Sequence, residues 1–430
     1  MGSLVPSTLE EWLAYQARVH PRAIDLSLGR LTEVLVRMKW RRPPVPVITV
    51  AGTNGKGSVV ATCASIGSAA GRKVGTFTSP HLRDYRERIR IGDRNVEDAQ
   101  LIAAFERIES ARGEIGLTFF EYNTLAALLI LEQAGADLWV LEVGMGGRLD
   151  AVNVVDADVA VVVSIGFDHT EYLGNSLEAI GREKAGIFRS GRAAVLGSRD
   201  PPAVLGATAT ALGARLKRLG EEFDYTRDAC TWHYRGPRWD LPGLPPPALR
   251  GEKQFDNAAT AIAALEELDA RVPVSPAAVV AGLRAVRLVG RFQLIAGDTA
   301  GRPTWILDVA HNPDAARVLA QNLRMLAHHG RTFAICGILA DKDADGVVAE
   351  ILDSIDTWFF VSTDGERGSS GDSLAARVAG RIGAPAATFD SIPAACEAAL
   401  AAARPEDRIV VFGSFHTVGP ALDWLEARGP

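Results

Sequence analysis

The sequence predicts an α/β protein built from two domains, and three observations support this fold class. Its 430 residues are more than one hydrophobic core usually organises. Two separate regions alternate short apolar runs with segments of helical periodicity, the pattern of parallel sheets covered by helices on both faces. A glycine-rich turn at residues 52–58 stands between the first apolar run and a helical segment. We expect an N-terminal parallel-sheet domain at residues 1–295 and a smaller C-terminal domain at residues 296–430.

The individual elements follow from apolar runs and from helical periodicity. In the first region, strands are predicted at residues 47–50, 138–143 and 159–165, and helices at residues 59–70, 101–111 and 122–133. In the second region, strands are predicted at residues 305–309, 332–336, 358–362 and 408–412, and helices at residues 315–326 and 394–403. Between the regions we expect a rigid proline-rich loop at residues 241–247 and a helix at residues 258–268. We place the domain boundary near Ala296.

The composition is that of an ordinary globular protein, with 47% hydrophobic and 23% charged residues. A net charge of −6 argues against a nucleic-acid partner, because proteins that bind nucleic acids carry a basic patch. No signal peptide is apparent, and no apolar stretch reaches the ~18 residues of a membrane-spanning helix. The four cysteines are widely scattered, which indicates free thiols in a reducing compartment. We therefore expect a cytoplasmic protein, without a membrane partner, that acts as a monomer.

The glycine-rich turn has the features of a phosphate-binding loop. Its residues are Gly52, Thr53, Asn54, Gly55, Lys56, Gly57 and Ser58. Small residues let successive backbone N–H groups converge on a phosphate at a helix N-terminus, where the helix dipole also favours an anion. We expect Lys56 to reach the outer phosphates and Ser58 Oγ to bind a magnesium ion. The spacing differs from the usual G-x-x-x-x-G-K-[ST] motif, because the first glycine is closer and Gly57 separates the lysine from the hydroxyl.

Polar side chains at the ends of two further strands predict a metal site. Glu142 ends one apolar run, and Asp168, His169 and Glu171 follow the next strand. The carboxyl ends of parallel strands are where such sheets bind ligands. A carboxylate in a hydrophobic strand is costly unless it is paired or binds a metal. We therefore expect Glu142 to be a magnesium ligand and the cluster around His169 to be functional.

These motifs together resemble those of the folylpolyglutamate synthase and dihydrofolate synthase family, within the wider Mur-ligase group. The residues that carry the resemblance are G-T-N-G-K-G-S from Gly52, E-V-G-M-G-G-R-L-D-A-V-N from Glu142 and D-V-A-H-N-P from Asp308. The stretches S-P-H-L, F-D-H-T-E-Y-L-G and E-K-A-G-I also occur in family order, so the resemblance covers nearly the whole chain. It implies an N-terminal P-loop ATPase-like domain and a smaller Rossmann-like C-terminal domain.

The resemblance implies catalytic roles for Lys56, His169 and Lys184. In the family, the lysine of E-K-A-G-I, here Lys184, is carbamylated by carbon dioxide, and the histidine, here His169, binds a second divalent ion. The metal ligands would be Ser58, Glu142, His169 and Lys184, and they would hold two Mg²⁺ ions, with Mn²⁺ also suited to a histidine ligand. Only a desolvated lysine with a depressed pKa would react readily with carbon dioxide.

The resemblance also assigns residues to three substrates. ATP would contact the glycine-rich turn together with Asn257, Arg291 and Asp308. The folate or pterin would contact Ser79, Pro80, His81, Phe120 and Asp150, with Phe119, Glu121 and Arg83 nearby. Glutamate would contact His311 and Ser414. Two positions depart from the family pattern, since Val309 stands where glycine is frequent and His416 where tyrosine is frequent.

The implied reaction is an ATP-dependent amide ligation. The γ-phosphoryl group would pass to a substrate carboxylate, and the amino group of L-glutamate would attack the resulting acyl phosphate. This route needs neither a Ser-His-Asp arrangement nor a catalytic cysteine, and neither is apparent. We expect both dihydropteroate and reduced folates to be accepted. Four alternatives stay open: a Mur-type ligase of cell-wall synthesis, a monofunctional folylpolyglutamate synthase, a P-loop switch or motor ATPase, and a non-catalytic nucleotide-binding module.

Overall fold

The structure is a computed structural model that describes residues 6–22, 24–295, 301–365, 367–382 and 386–428. The chain divides into two compact units. The first unit comprises Met1–Ala248 and Phe255–Val286, and the second comprises Leu249–Gln254 and Arg287–Pro430. The two-domain α/β organisation is therefore confirmed. The predicted boundary near Ala296 lies outside the described residues.

The first unit contains an eight-stranded sheet. Its strands are β1 (Val47–Ala51), β2 (Val74–Phe77), β3 (Ile89–Ile91), β4 (Arg94–Asn95), β5 (Leu138–Glu142), β6 (Val159–Val162), β7 (Ala193–Leu196) and β8 (Arg215–Arg218). The strand order is β4-β3-β2-β5-β1-β6-β7-β8, and the six strands from β2 to β8 in this order are parallel. β3 and β4 extend one edge as an antiparallel pair. β1, β5 and β6 are buried along their whole length, as their continuous apolar runs predict.

Helices cover this sheet. They are α1 (Leu9–Val19), α2 (Gly29–Arg37), α3 (Lys56–Ala69), α4 (Asp98–Arg112), α5 (Phe119–Gln133), α6 (Thr170–Leu173), α7 (Leu177–Ala185), α8 (Ala203–Leu212), α9 (Lys253–Glu266) and α10 (Pro276–Ala285), with 3-10 helices at Tyr85–Arg88 and Ala151–Val154. Local sequence sets the ends of several of them. At the start of α5, Thr118 Oγ1 accepts from Glu121 N at 3.2 Å, and the Glu121 carboxylate accepts from Thr118 N at 2.8 Å. This reciprocal cap satisfies two backbone donors that the first turn would otherwise leave unpaired.

A small antiparallel sheet in the first unit corrects one expectation. Its strands are β9 (Asp224–Arg227), β10 (Trp232–Arg235) and β11 (Asp240–Leu244), in the order β11-β10-β9. The segment 241–247 was predicted as a rigid loop, but residues 241–244 belong to strand β11. Pro242 is tolerated there because β11 is an edge strand, where a missing N–H need not break the ladder.

The second unit contains a six-stranded sheet. Its strands are β12 (Gln293–Ile295), β13 (Thr304–Asp308), β14 (Thr332–Cys336), β15 (Thr357–Val361), β16 (Ala387–Phe389) and β17 (Arg408–Phe412), in the order β12-β13-β17-β14-β15-β16. All pairs are parallel except β12 with β13. The helices are α11 (Pro313–Met325), α12 (Ala344–Ile351), α13 (Gly371–Val378), α14 (Ile392–Ala402) and α15 (Phe415–Ala427), with a 3-10 helix at Leu352–Ser354. The four strands predicted in this region are confirmed.

Two further expectations were made from composition. Across the described segments, no helix is long and apolar enough to span a membrane. The four cysteines, Cys63, Cys230, Cys336 and Cys396, are free thiols. Cys63, Cys336 and Cys396 are buried, and burial raises the pKa of the Cys63 thiol to about 12. These three side chains are therefore core residues rather than nucleophiles.

Candidate active site

The glycine-rich turn connects β1 to α3, and its geometry requires glycine. Gly55 is the residue immediately before α3 and has a φ of +87°. A Cβ atom at this position would lie 2.8 Å from both Asn257 Oδ1 and Val163 Cγ1. Only a residue without a side chain fits a left-handed backbone in so narrow a space. The turn therefore packs closely against Asn257, which the sequence had assigned to the same site.

Two lysines converge on one carbonyl group of this turn. Lys56 Nζ donates to Gly52 O at 3.1 Å and to Thr53 O at 3.2 Å, and Lys184 Nζ donates to Gly52 O at 3.0 Å. Lys184 lies in α7, so the chain folds back to bring it to the turn. Burial and, to a smaller extent, the neighbouring Lys56 ammonium lower the pKa of Lys184 to about 7, against the opposing charges of Asp168 and Asp150. Near neutral pH a large fraction of Lys184 is therefore the uncharged amine.

The turn is also fastened to the loop that follows β6. Thr53 N donates to Ser164 O at 2.8 Å, and Thr53 Oγ1 both donates to Gly166 O at 3.1 Å and accepts from Gly166 N at 3.0 Å. Asn54 N donates to Ser164 Oγ at 3.0 Å. Sequence reasoning missed Ser164, and its only signal was a polar residue near the end of a predicted buried strand. These bonds place the loop that carries His169 beside the phosphate-loop candidate.

Glu142 and Asp150 lie on either side of a glycine-rich segment after β5. Glu142 ends β5 and is buried, and its Oε2 accepts from Ser79 N at 3.4 Å. Asp150 is buried and accepts from Met145 N at 2.9 Å and Val152 N at 3.0 Å. Burial raises the pKa of Asp150 to about 6, although backbone hydrogen bonds and Lys56 act in the opposite direction. The structure thus brings the predicted metal ligand Glu142 next to Ser79 of the predicted folate loop.

His169 occupies an unusual backbone position. Its φ is +51°, it directly precedes α6, and its N–H donates to Asp168 Oδ1 at 2.9 Å. The His169 Nε2 atom lies 3.9 Å from the same Asp168 oxygen. Within the described ranges, no three His, Cys, Asp or Glu side chains are grouped as a metal site. The predicted ligand set contains two such residues, Glu142 and His169, together with Ser58 and Lys184, and it stays a prediction.

The predicted folate loop adopts a defined structure. The Ser79–Pro80 peptide bond is cis, and His81 Nδ1 accepts from Arg88 Nε at 2.8 Å. Because the guanidinium is always a donor, Nδ1 of His81 carries no proton in this arrangement. The Arg88 guanidinium lies 5.6 Å from the ring centre of Tyr85 and 5.7 Å from that of Phe119. Sequence reasoning missed Arg88, because nothing in an arginine-rich segment distinguishes the one buried member.

The aromatic and acidic residues predicted for the pterin pocket have mixed environments. The ring centres of Phe120 and Phe77 lie 5.8 Å apart. A Cβ atom at Gly144 would lie 2.5 Å from Phe120 Cζ. Phe120 therefore packs directly on the segment after Glu142. Glu121 is held by the helix cap described above and by Arg30 Nε at 3.3 Å. Arg83 is exposed, whereas Glu121 is buried and serves the start of α5.

In the second unit, three predicted site residues meet at the end of β13. Asp308 accepts from Phe292 N and Ala310 N, each at 2.8 Å. Burial raises the pKa of Asp308, and the charges of Arg291 and His311 oppose this shift. His311 Nδ1 donates to Val309 O at 2.8 Å, so in the neutral imidazole Nε2 holds the lone pair.

Ser414 and Phe415 complete this group in the second unit. Ser414 precedes α15, and its Oγ accepts from His416 N at 3.1 Å. The Phe415 ring lies 5.4 Å from the Arg291 guanidinium and 6.5 Å from the His311 ring. Sequence reasoning missed Phe415, which carried no signal beyond its place after Ser414. Arg291, His311 and Ser414 are therefore neighbours around a single aromatic side chain.

Comparison with known proteins identifies the family. Two family models match the chain: "Mur ligase middle domain" over residues 50–227 and "Mur ligase, glutamate ligase domain" over residues 290–415. The dihydrofolate synthase/folylpolyglutamate synthase of Escherichia coli (strain K12) is 43% identical over 422 residues, which cover 98% of this chain and 96% of that protein.

Solved structures agree with this assignment. The structure of E. coli FolC in complex with DHPP and ADP is 42% identical, has a TM-score of 0.93 and covers 100% of both chains. The bifunctional folylpolyglutamate synthase/dihydrofolate synthase from Yersinia pestis, complexed with AMPPNP and Mn ion, is 40% identical with a TM-score of 0.91 and covers 99% of this chain and 100% of that one. The chain therefore belongs to the dihydrofolate synthase/folylpolyglutamate synthase family of Mur ligases and is an ATP-dependent, amide-forming ligase.

Proposed function

We propose that this enzyme uses ATP to join L-glutamate to dihydropteroate and also to tetrahydrofolates. The observation that carries the proposal is the meeting of Lys56 and Lys184 at the Gly52 carbonyl, with Glu142 and Ser79 in contact at the end of the neighbouring strand. The candidate phosphate loop and a residue of the predicted folate loop thus follow β1 and β2, the two strands that flank β5 in the same sheet, which supports the proposal. Relatives similar over their full length carry both activities in their names.

Nucleotide binding would use the backbone of residues 52–58 and the start of α3. The N–H groups of the turn and the positive end of the helix dipole favour the phosphates, and Lys56 would leave its carbonyl partners for the outer phosphates. Phosphoryl transfer demands mainly positioning and neutralisation of charge. Asn257 lies against the turn and is proposed to contact the same nucleotide. A structure of a relative contains ADP and another contains AMPPNP with manganese.

The residues present fit a divalent cation, for which we propose Mg²⁺, with Mn²⁺ as a substitute and two ions in all. Buried Glu142 offers carboxylate oxygens and buried Ser58 a hydroxyl, the hard donors that Mg²⁺ prefers, and His169 would suit Mn²⁺. A bound divalent ion would neutralise negative charge on the phosphates. The low pKa of Lys184 supports its proposed carbamylation: the neutral amine attacks carbon dioxide, forms an N–C bond and releases one proton.

The second unit would supply the remaining contacts. We propose that Asp308 and Arg291 meet the nucleotide and that His311 and Ser414 meet glutamate. The match of residues 290–415 to a glutamate ligase domain supports this assignment. In its neutral form, with the proton on Nδ1, the His311 ring would offer the Nε2 lone pair to a hydrogen bond from the incoming ammonium or amine group. The folate acid would meet Ser79, Pro80, His81, Phe120 and Asp150.

One experiment separates this proposal from its alternatives. Purified protein, with Mg²⁺ and ATP, is assayed for glutamate-dependent ADP release with dihydropteroate and, separately, with tetrahydrofolate. We expect activity with both acids and a product enlarged by one glutamate. Activity with tetrahydrofolate alone would identify a monofunctional folylpolyglutamate synthase, and activity only with a cell-wall precursor would identify a Mur-type ligase. ADP release at a rate that does not depend on any of these acids would indicate a P-loop ATPase. The cytoplasmic location and monomeric state stay predictions.

A further inference from the structure

The small antiparallel sheet holds the helix that carries Asn257. Tyr225 of β9 and Tyr234 of β10 are opposite one another in register, so both side chains point to the same face of the sheet. Tyr225 Oη donates to Asp256 Oδ1 at 2.9 Å, and Tyr234 Oη donates to Glu266 Oε2 at 2.7 Å. Asp256 lies in the first turn of α9 and Glu266 is its last residue. One tyrosine therefore fastens each end of the helix.

Aromatic packing reinforces the hydrogen bond at the first turn. The Tyr225 and Phe255 rings are stacked, with their centres 6.2 Å apart. The Trp232 ring meets both edge-on, with its centre 5.7 Å from that of Tyr225 and 5.8 Å from that of Phe255. The Arg227 guanidinium lies 3.8 Å from the Phe255 ring centre. Burial, followed by the charge of Asp256, raises the pKa of Tyr225 to about 12, so the phenol keeps its proton and remains the donor. The start of α9 is thus held by the hydrogen bond to Asp256 and by the ring and guanidinium contacts to Phe255.

The next residue after Asp256 is Asn257, which packs on the phosphate-loop candidate. The Asn257 Oδ1 atom lies only 2.8 Å from the position that a Gly55 Cβ atom would take. Interiors packed this closely transmit small displacements rather than absorb them. A shift of the first turn of α9 would therefore move Asn257 relative to the turn that is proposed to bind the phosphates.

We infer that Tyr225 is a positioning residue for the nucleotide: its hydrogen bond to Asp256 fixes the first turn of α9, so that Asn257 lies against Gly55 as ATP binding requires. The inference rests on the proposed nucleotide role of Asn257 and the turn. It gives the three-stranded sheet a function in nucleotide binding, for which its sequence offered no sign. Tyr225 acts through Asp256 and Asn257, so its loss should change nucleotide affinity without changing the chemical step.

The test compares Tyr225→Phe with Tyr234→Phe. Each variant removes one tyrosine hydroxyl that donates to a carboxylate of α9, but Glu266 lies roughly 14 Å along the helix from Asn257. Binding of a fluorescent ATP analogue with Mg²⁺ is titrated without folate or glutamate. We expect Tyr225→Phe to weaken binding roughly 2- to 10-fold, the effect of one lost hydrogen bond. Tyr234→Phe should lower the melting temperature but leave nucleotide affinity unchanged. In steady-state assays, Tyr225→Phe should raise the KM for ATP and leave kcat and the KM for glutamate within twofold.

A carboxylate series shows whether the hydrogen bond itself is responsible. Asp256→Asn keeps an oxygen acceptor and should behave nearly as wild type, whereas Asp256→Ala should match Tyr225→Phe. The Tyr225→Phe/Asp256→Ala double variant should be no worse than Asp256→Ala, because both changes remove one interaction. Equal nucleotide affinity in Tyr225→Phe and Tyr234→Phe, or additive losses in the double variant, would overturn the inference. If wild type binds the nucleotide but ligates neither acid, the proposed function fails while this result stands.

Discussion

Replacing Gly55 by alanine tests the candidate phosphate loop where its packing is tightest. The backbone φ of +87° costs an alanine about 1–2 kcal/mol. The new methyl group would also lie 2.8 Å from Asn257 Oδ1 and from Val163 Cγ1, so at least one of them must move. Overpacking of this kind costs about 1–3 kcal/mol. We expect the turn and Asn257 to separate, and nucleotide affinity to fall with them.

Gly71 provides a matched control near the other end of the same helix. Its φ is +76°, and a Cβ atom there would meet nothing within 4 Å. Gly71→Ala therefore carries the same kind of backbone strain as Gly55→Ala without the contact. The difference in nucleotide affinity between the two variants should reflect the contact alone. If the about 1–3 kcal/mol of overpacking acts wholly on binding, Gly55→Ala binds roughly 5- to 150-fold more weakly than Gly71→Ala.

The assay is a titration of both variants with a fluorescent ATP analogue, accompanied by calorimetric melting. Both variants should lose stability from strain, and Gly55→Ala should lose more of it. Equal nucleotide affinities would refute the reasoning, because they would show that the contact between Gly55 and Asn257 does not shape the nucleotide site. A loss of affinity in Gly71→Ala as large as that in Gly55→Ala would assign the effect to helix α3 as a whole.

Three further predictions concern the charged groups of the site. Lys56→Ala should fold normally but lose on the order of 10² to 10⁴ in ligation rate, measured as ADP release, and near-normal turnover would remove the phosphate-loop assignment. Glu142→Ala and His169→Ala should each raise the Mg²⁺ concentration needed for half-maximal rate. The double variant should lose little more turnover than the worse single variant, because ligands of one site act together. Fully additive losses of turnover would argue against a shared site. Lys184→Ala should be inactive and partly rescued by formate or acetate. Because the pKa of Lys184 is lowered to about 7, its amine is neutral above that pH, so carbamylation at fixed carbon dioxide, followed by ¹³C NMR, should fall as the pH drops below about 7.

Local sequence chemistry was enough to predict the centre of both sheets. Strands β1, β5 and β6 are continuous apolar runs because helices cover both faces, so their sequence needs no alternation. The phosphate-loop candidate was equally visible, since a residue with a left-handed backbone and as little space around it as Gly55 must be glycine. In these places the residues that determine the structure are adjacent in sequence.

Edges and long-range contacts were not visible in the same way. β8 has the sequence Arg-Leu-Lys-Arg at the rim of its sheet, and β11 contains a proline and a glycine, so neither looks like a strand. Their pairing is decided by neighbours rather than by their own side chains. Sequence reasoning also missed the buried Arg88 and Phe415, the aromatic residue next to Arg291 and His311. The surroundings of both side chains depend on contacts that their own local sequence does not reveal. The roles of Tyr225 and Tyr234 likewise appear only once β9 and β10 are placed on α9.

The contacts of the Gly52 carbonyl give a physical reason for the change of charge that we propose at Lys184. This carbonyl accepts from both Lys56 and Lys184, and two ammonium groups on one buried oxygen repel each other. The protein resolves this by burial, which lowers the pKa of Lys184 to about 7 and leaves much of it uncharged. Because burial favours the uncharged amine, the nitrogen keeps the lone pair that must attack carbon dioxide. A carbamate would turn the repulsion from Lys56 into attraction, so the site itself, rather than the solution, favours the modification that we propose.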